Sequence, residues 1–185
     1  MSKKTALILS LGFIAAMAIV MYAMGREVMC SCGYIKLWHG LVQSSENSQH
    51  IFDWYTFTHI IHGLVFYLLI SLFGKRLSFW QKLATAVFLE SAWEVLENTD
   101  FIINRYREGT ISLNYFGDSI INAIGDVAAM AAGFWFAAKK PVWMSLALYI
   151  VIEVFLLFWI RDNFTLNVIM ILFPIEGIKT WQTGG

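Results

Sequence analysis

The chain of 185 residues is 58% hydrophobic and only 14% charged, with a formal net charge of zero and two prolines. So little charge cannot build a water-facing surface of ordinary polarity around a soluble core. With no basic tract, zinc-finger spacing or Gly-rich phosphate loop, nucleic acid is excluded as a partner class.

A helix needs roughly 20 apolar residues to cross a hydrocarbon core about 30 Å thick, and such runs recur along the chain. The first, Ala6 to Met24, follows Lys3 and Lys4. It resembles a signal peptide with Ala23-Met24-Gly25 near a cleavage site, but its apolar run outlasts the typical signal core of about 7–15 residues, so it reads as a retained anchor. Further spans are expected at Trp54 to Phe73, Phe79 to about Leu96, Ser119 to Ala138 and Val142 to Ile160. A last, shorter one runs from Phe164 to Ile178, where Pro174 kinks it or cuts it short. The expectation is an all-α polytopic transmembrane bundle of about six helices, forming one domain over residues 1–185. Its location is a bacterial inner membrane, in contact with membrane lipids.

With the N-terminus in the cytoplasm, Lys3, Lys4, Lys75, Arg76, Lys82, Lys139, Lys140 and Lys179 fall inside, against Arg26, Lys36, Arg105, Arg107 and Arg161 outside. The long loops, Gly25 to Asp53 and about Glu97 to Asp118, then lie outside, and function is expected there.

Ionisable residues within spans are costly, roughly 2.5–3.5 kcal/mol each even on lenient insertion scales. Yet the second span carries His59 and His62, the third Glu90, Glu94 and Glu97, the fourth Asp118, Asn122 and Asp126, and the fifth Glu153. Spacings of three and four put each set on one helix face. Topology brings these stripes to a common depth at the outer end, descending about 10–12 Å at 1.5 Å per residue. A polar cleft open to the outer face is expected.

Two chemistries suit it. One is a divalent metal site (zinc, manganese or iron) drawing on His59, His62, Glu94, Glu97, Asp118 and Asp126. No known ligand signature matches; neither His-Glu-x-x-His nor Glu-x-x-His is present. The other is metal-free acid–base catalysis, in which His59 and His62 shuttle protons and Glu90, Glu94 or Asp118 serves as the base. The plainer alternative is a packing network in which these charges neutralise one another. Asn98, Arg105, Arg107, Asn122, Arg161 and Asn167 are candidate substrate contacts, the arginines as anion holders or else as salt-bridge partners of Glu97, Asp100 and Glu108. Cys30 and Cys32, on the oxidising side, suit a disulfide, a soft metal such as copper, or two plain thiols, with His39 and His50 as possible extensions.

The stretches Cys30 to His39, Asp53 to His62, Glu90 to Asn98 and Arg161 to Asn167 together resemble a family of small alphaproteobacterial integral membrane proteins known only as a domain of unknown function. The resemblance implies a membrane location and no mechanism. The His- and Glu-bearing helices are also loosely similar to VanZ-like membrane proteins. The first functional expectation is a membrane-embedded enzyme, a hydrolase or transferase, acting on a lipid or lipid-linked substrate. The alternatives are a metal-handling or assembly protein using the cysteines, and an accessory subunit with a protein partner in the membrane.

Overall fold

The computed structural model describes residues 1–110 and 114–184. Among them are eight helices: α1 (Lys3–Ala23), α2 (Thr56–Phe73), α3 (Phe79–Glu97), α4 (Asp100–Gly109), α5 (Ile120–Lys139), α6 (Val142–Ile160), α7 (Phe164–Leu172) and α8 (Glu176–Thr183). Four of these, α1, α2, α5 and α6, are long and apolar enough to cross a membrane. The expected count of six is therefore not matched, for two physical reasons. The third expected span forms as α3, but Lys82, Glu90, Glu94 and Glu97 leave it too charged to count as a span by composition. It is held instead by protein neighbours, packing against α1, α5 and α2. The sixth span breaks at Pro174. Proline lacks an N–H and forces its predecessor out of helical geometry, and Phe173 sits at φ −138°, ψ 83°, ending α7 and leaving α8 as a separate turn of chain. The additional helix α4, amphipathic and capped by Thr99, occupies part of the expected outer loop.

α5 lies at the centre: 61% of its most apolar window is buried, against 17% for α1 and α6. Its closest neighbour is α2, and glycines permit the approach. A Cβ on Gly63 would sit 2.1 Å from the Met130 carbonyl, and one on Gly133 would sit 2.1 Å from the Ile60 carbonyl. Small residues at a helix crossing let backbones meet without any apolar side chains between them, which is how helices associate where the surrounding solvent is itself apolar. Around this crossing Met17, Met21, Val87, Val127, Met130 and Phe134 form the main core. The outer faces of α1 and α6 expose Leu11, Ile19, Trp143, Val151 and Phe158, a distribution suited to lipid rather than water.

One end of the bundle is closed by the loop between α1 and α2 together with α4, α7 and α8. The loop satisfies the backbone groups that a helix start leaves unpaired: Ile120 donates to the Glu27 carbonyl, Ile121 to Val28, and Asn122 to the Ser119 hydroxyl that caps α5. Glu153, expected to be an intramembrane charge of functional weight, does the same for α7, its carboxylate accepting from Phe164 and Thr165 amides at 2.9 and 3.0 Å. That placement combines capping with the favourable end of the helix dipole.

Asp162 ties this cap together. Its Oδ2 accepts from Tyr55 and Asn167 and its Oδ1 from the Asn163 amide and Gln182, at 3.0–3.1 Å, linking the starts of α2 and α7 to α8. Burial pushes its carboxyl up to about 6, the four donors opposing that rise. The folded state therefore keeps a proton that the unfolded chain, with a carboxyl near 3.9, releases at lower pH. Stability from this group is greatest below about pH 4 and is lost as pH rises through about 6, by up to about 3 kcal/mol. Thermal unfolding in detergent at pH 5 and 7.5 is expected to show wild type losing more stability on the alkaline side than Asp162→Asn; equal pH slopes would contradict this assignment.

Candidate functional site

His59 lies in the first turn of α2 and His62 one turn further on, so both point to the same side. They meet α3, whose Glu90 is fully buried. Glu90 Oε1 lies 2.6 Å from His59 Nδ1 and 3.0 Å from His62 Nδ1, and Oε2 also lies 3.0 Å from His62 Nδ1. One carboxylate thus receives a proton donor from each ring, and both Nε2 atoms are left to face other groups. This is the arrangement by which a carboxylate orients an imidazole for proton transfer or metal ligation.

Glu94, one turn along α3, is different. It is also fully buried, and its Oε1 lies 3.3 Å from His59 Nδ1. Neither of its carboxyl oxygens makes a hydrogen bond, because the single Nδ1 proton of His59 is directed at the closer Glu90. A buried carboxyl with no partner is costly. Asp126 from α5 shares this condition: Oδ2 lies 3.9 Å from His59 Nε2, and Oδ1 is buried and unpartnered. Ligand atoms of His59, His62 and Glu90 lie within 4.8 Å of one another, as do those of His59, Glu94 and Glu97.

A second layer holds the acids in place. Asn98, fully buried at the end of α3, donates to Asp118 Oδ2 at 2.7 Å and to the Glu94 carbonyl at 2.9 Å, while its Oδ1 accepts from the Asp118 amide. Tyr115 donates to the same Asp118 oxygen, and Tyr106 to Glu97 Oε1. Asn122 turns the other way and donates to the His50 carbonyl, anchoring the loop. Beside these groups lies a cavity of about 480 Å³ walled by α2, α3, α7 and the loop, with His59, His62, Glu97, Asp118, Asp126 and Asn167 among its lining residues, and with Glu90, Glu94, Asn98 and Asn122 behind that lining.

The three candidate arginines do not join it. Arg105 donates to the Ile171 and Leu172 carbonyls and so closes the C-terminal end of α7. Arg107 lies over the Phe116 ring, and Arg161 donates to the Trp181 carbonyl. Tyr106, Tyr115 and Trp93, which the sequence does not single out, also border the cavity; only the polar partner that a buried tyrosine hydroxyl requires hints at the two tyrosines.

Cys30 and Cys32 are joined as a disulfide. Beside them Glu46 is held at about 2 by hydrogen bonds from Lys36, His50 and Tyr34. His50 Nδ1 accepts from the Lys36 amide, which places its proton on Nε2, directed to Glu46 at 3.0 Å. The cysteines, Glu46 and His50 form a cluster of their own, separate in composition from that of His59.

A family model described as a protein of unknown function (DUF2585) matches residues 21–184. Among related proteins, a UPF0314 protein of Paracoccus denitrificans is 54% identical over 158 residues, covering 85% of this chain and 82% of the relative. UPF0314 protein R03235 of Rhizobium meliloti is 50% identical over 178 residues, covering 96% and 90%, and a UPF0314 protein of Sphingopyxis alaskensis is 46% identical over 182 residues, covering 98% and 97%. No solved structure matches. These likenesses run along most of the chain, so it belongs to the alphaproteobacterial DUF2585 family.

Proposed function

We propose that the protein is a membrane-embedded enzyme that uses this cavity to act on a lipid or lipid-linked substrate, as a hydrolase or transferase with a divalent metal ion, zinc, manganese or iron. The observation that carries the reading is Glu94: a fully buried carboxyl with both oxygens unpartnered, beside His59. A purely structural network would satisfy such a group, whereas a metal or a substrate proton would complete it. Nitrogen and carboxylate donors from His59, Glu94 and Glu97 suit those metals, which would supply charge stabilisation to a polar reacting group. Glu90 orients both imidazoles. Asp118, fixed by Asn98 and Tyr115, is the base facing the cavity. The apolar remainder of the wall suits an acyl or prenyl chain.

The same reading sets the protein in the bacterial inner membrane with its N-terminus cytoplasmic and the cavity toward the periplasmic side. It keeps the looser kinship with VanZ-like proteins as part of the proposal. A metal-handling role would require the cysteines to join His59, and they group with Glu46 and His50 instead. An accessory-subunit role would require intramembrane charges fully satisfied by one another, whereas Glu94 and Asp126 lie within ion-pair distance of His59 yet leave carboxyl oxygens without hydrogen bonds.

The test is metal content by elemental mass spectrometry of protein purified without chelator. Near-stoichiometric metal is expected in wild type and in a Cys30→Ser/Cys32→Ser double variant, with loss in His59→Ala and Glu94→Ala. Metal that disappears with the cysteines alone would favour metal handling, and metal-free preparations throughout would remove the metal-dependent enzyme.

A further inference from the structure

The cavity has two chemically distinct ends. Val65, Phe66, Leu89, Ala92, Trp93 and Val168 line one, and Glu97, Asp118 and Asp126 line the other beside His59. Lysine and arginine are absent from the described residues lining it. Arg105, Arg107 and Arg161 are engaged elsewhere, as set out above.

The helix starts near the cavity give an anion nothing either. A phosphate or carboxylate head commonly seats on free N–H groups at a helix N-terminus. Here those of α5 are taken by Glu27, Val28 and Ser119, those of α7 by Glu153 and Asn163, and those of α2 by Asp53, Trp54 and Tyr55. What remains is an acceptor-rich end with one conspicuous vacancy in its bonding. Asp126 is only 4% exposed, borders the cavity, and leaves Oδ1 with no hydrogen bond. Tyr55, Tyr106, Tyr115 and Phe164 border the same space, and aromatic faces favour a cation.

We infer that the cavity takes an amphiphile with one apolar chain and a positively charged head, a primary amine or a quaternary ammonium, whose charge meets Asp126 and Asp118. This rests on the proposed reading of the cavity as a lipid site and specifies the head group. The volume of about 480 Å³ lies in the usual range for a single small ligand, which suits one chain rather than a pair. The chain lies along Phe66, Leu89 and Trp93, and the head lies beside the Asp126 and Asp118 side chains.

Native mass spectrometry of the full chain in a neutral detergent tests this, with dodecylamine, dodecyl phosphate and dodecanol as probes at pH 7, each with and without EDTA. One dodecylamine per chain is expected, bound about tenfold or more tighter than either of the other probes and independent of EDTA. Asp126→Asn, which keeps the shape and removes the charge, is expected to reduce the preference for amine over dodecanol by about tenfold. Equal or tighter binding of dodecyl phosphate in any arm overturns the inference; phosphate binding that EDTA abolishes would mean that a metal, not the carboxylates, receives the head. Amine and alcohol binding alike would also overturn it, and this comparison in wild type decides the matter even where Asp126→Asn does not fold. Dodecylamine binding in a protein that never holds metal would remove the metal-dependent enzyme and leave the head-group assignment intact. Stoichiometric metal without amine preference would do the reverse.

Discussion

Gly133→Leu is expected to eliminate the folded protein, seen as loss of a monodisperse peak in detergent size-exclusion chromatography and of any cooperative thermal transition. The reason is local and geometric. A Cβ at Gly133 would lie 2.1 Å from the Ile60 carbonyl oxygen and 2.9 Å from its carbon, both backbone atoms of the facing helix. No side-chain rotation relieves such a contact, so α2 and α5 must separate. Overpacking a core costs about 1–3 kcal/mol where side chains can shift, and more where they cannot. Total stability is typically only about 5–15 kcal/mol. Separation would also pull His59 away from Asp126, since the same crossing sets their distance of 3.9 Å. Gly63→Ala, facing the Met130 carbonyl at 2.1 Å, should destabilise through the same contact. By contrast, a Cβ at Gly12 meets nothing within 4 Å, so Gly12→Ala provides the control with little change. A Gly133→Leu protein that melts like wild type would refute the α2–α5 crossing.

The second large effect is an asymmetry between two neighbouring glutamates. Glu90→Ala is expected to lower metal-free stability by about 3–5 kcal/mol, because it leaves the buried His59 and the partly buried His62 without the carboxylate they share. Glu94→Met is expected to raise metal-free stability by about 1–3 kcal/mol, because it replaces an unsatisfied buried carboxyl with an apolar side chain of similar length. The same Glu94 change should abolish metal retention, so stability and function move in opposite directions, as they do where a site is built at the expense of the fold. Thermal melts of EDTA-treated wild type and both variants, scored together with metal content, decide the point. If Glu94→Met is as damaging as Glu90→Ala, then Glu94 has a structural partner and the case for a vacant ligand position fails.

Composition and local periodicity were enough to establish the class of the molecule. Runs such as Thr56–Phe73 and Val142–Ile160 are helical and apolar over the length of a bilayer core because local periodicity and composition suffice for that. Pro174 marked the weak point of the last span, and Phe173 and Pro174 do end α7. The stripes at His59 and His62, at Glu90 and Glu94, and at Asp118, Asn122 and Asp126 were also legible, since spacing along a helix fixes a shared face. What the sequence could not settle was which partner each stripe meets. Glu153 and Glu94 are both acids in long helices, yet one caps α7 through two amides and the other, 3.3 Å from His59 Nδ1, makes no hydrogen bond. Likewise α3 carries too much charge to be a span by composition, and only its packing against α1, α2 and α5 places it in the bundle. Arg105, Arg107 and Arg161 lie close in sequence to the site but are drawn to carbonyls and a ring beyond it. Such outcomes depend on long-range contacts, where the position of one hydrogen atom between His59, Glu90 and Glu94 decides which carboxyl is satisfied, and no local pattern encodes that competition.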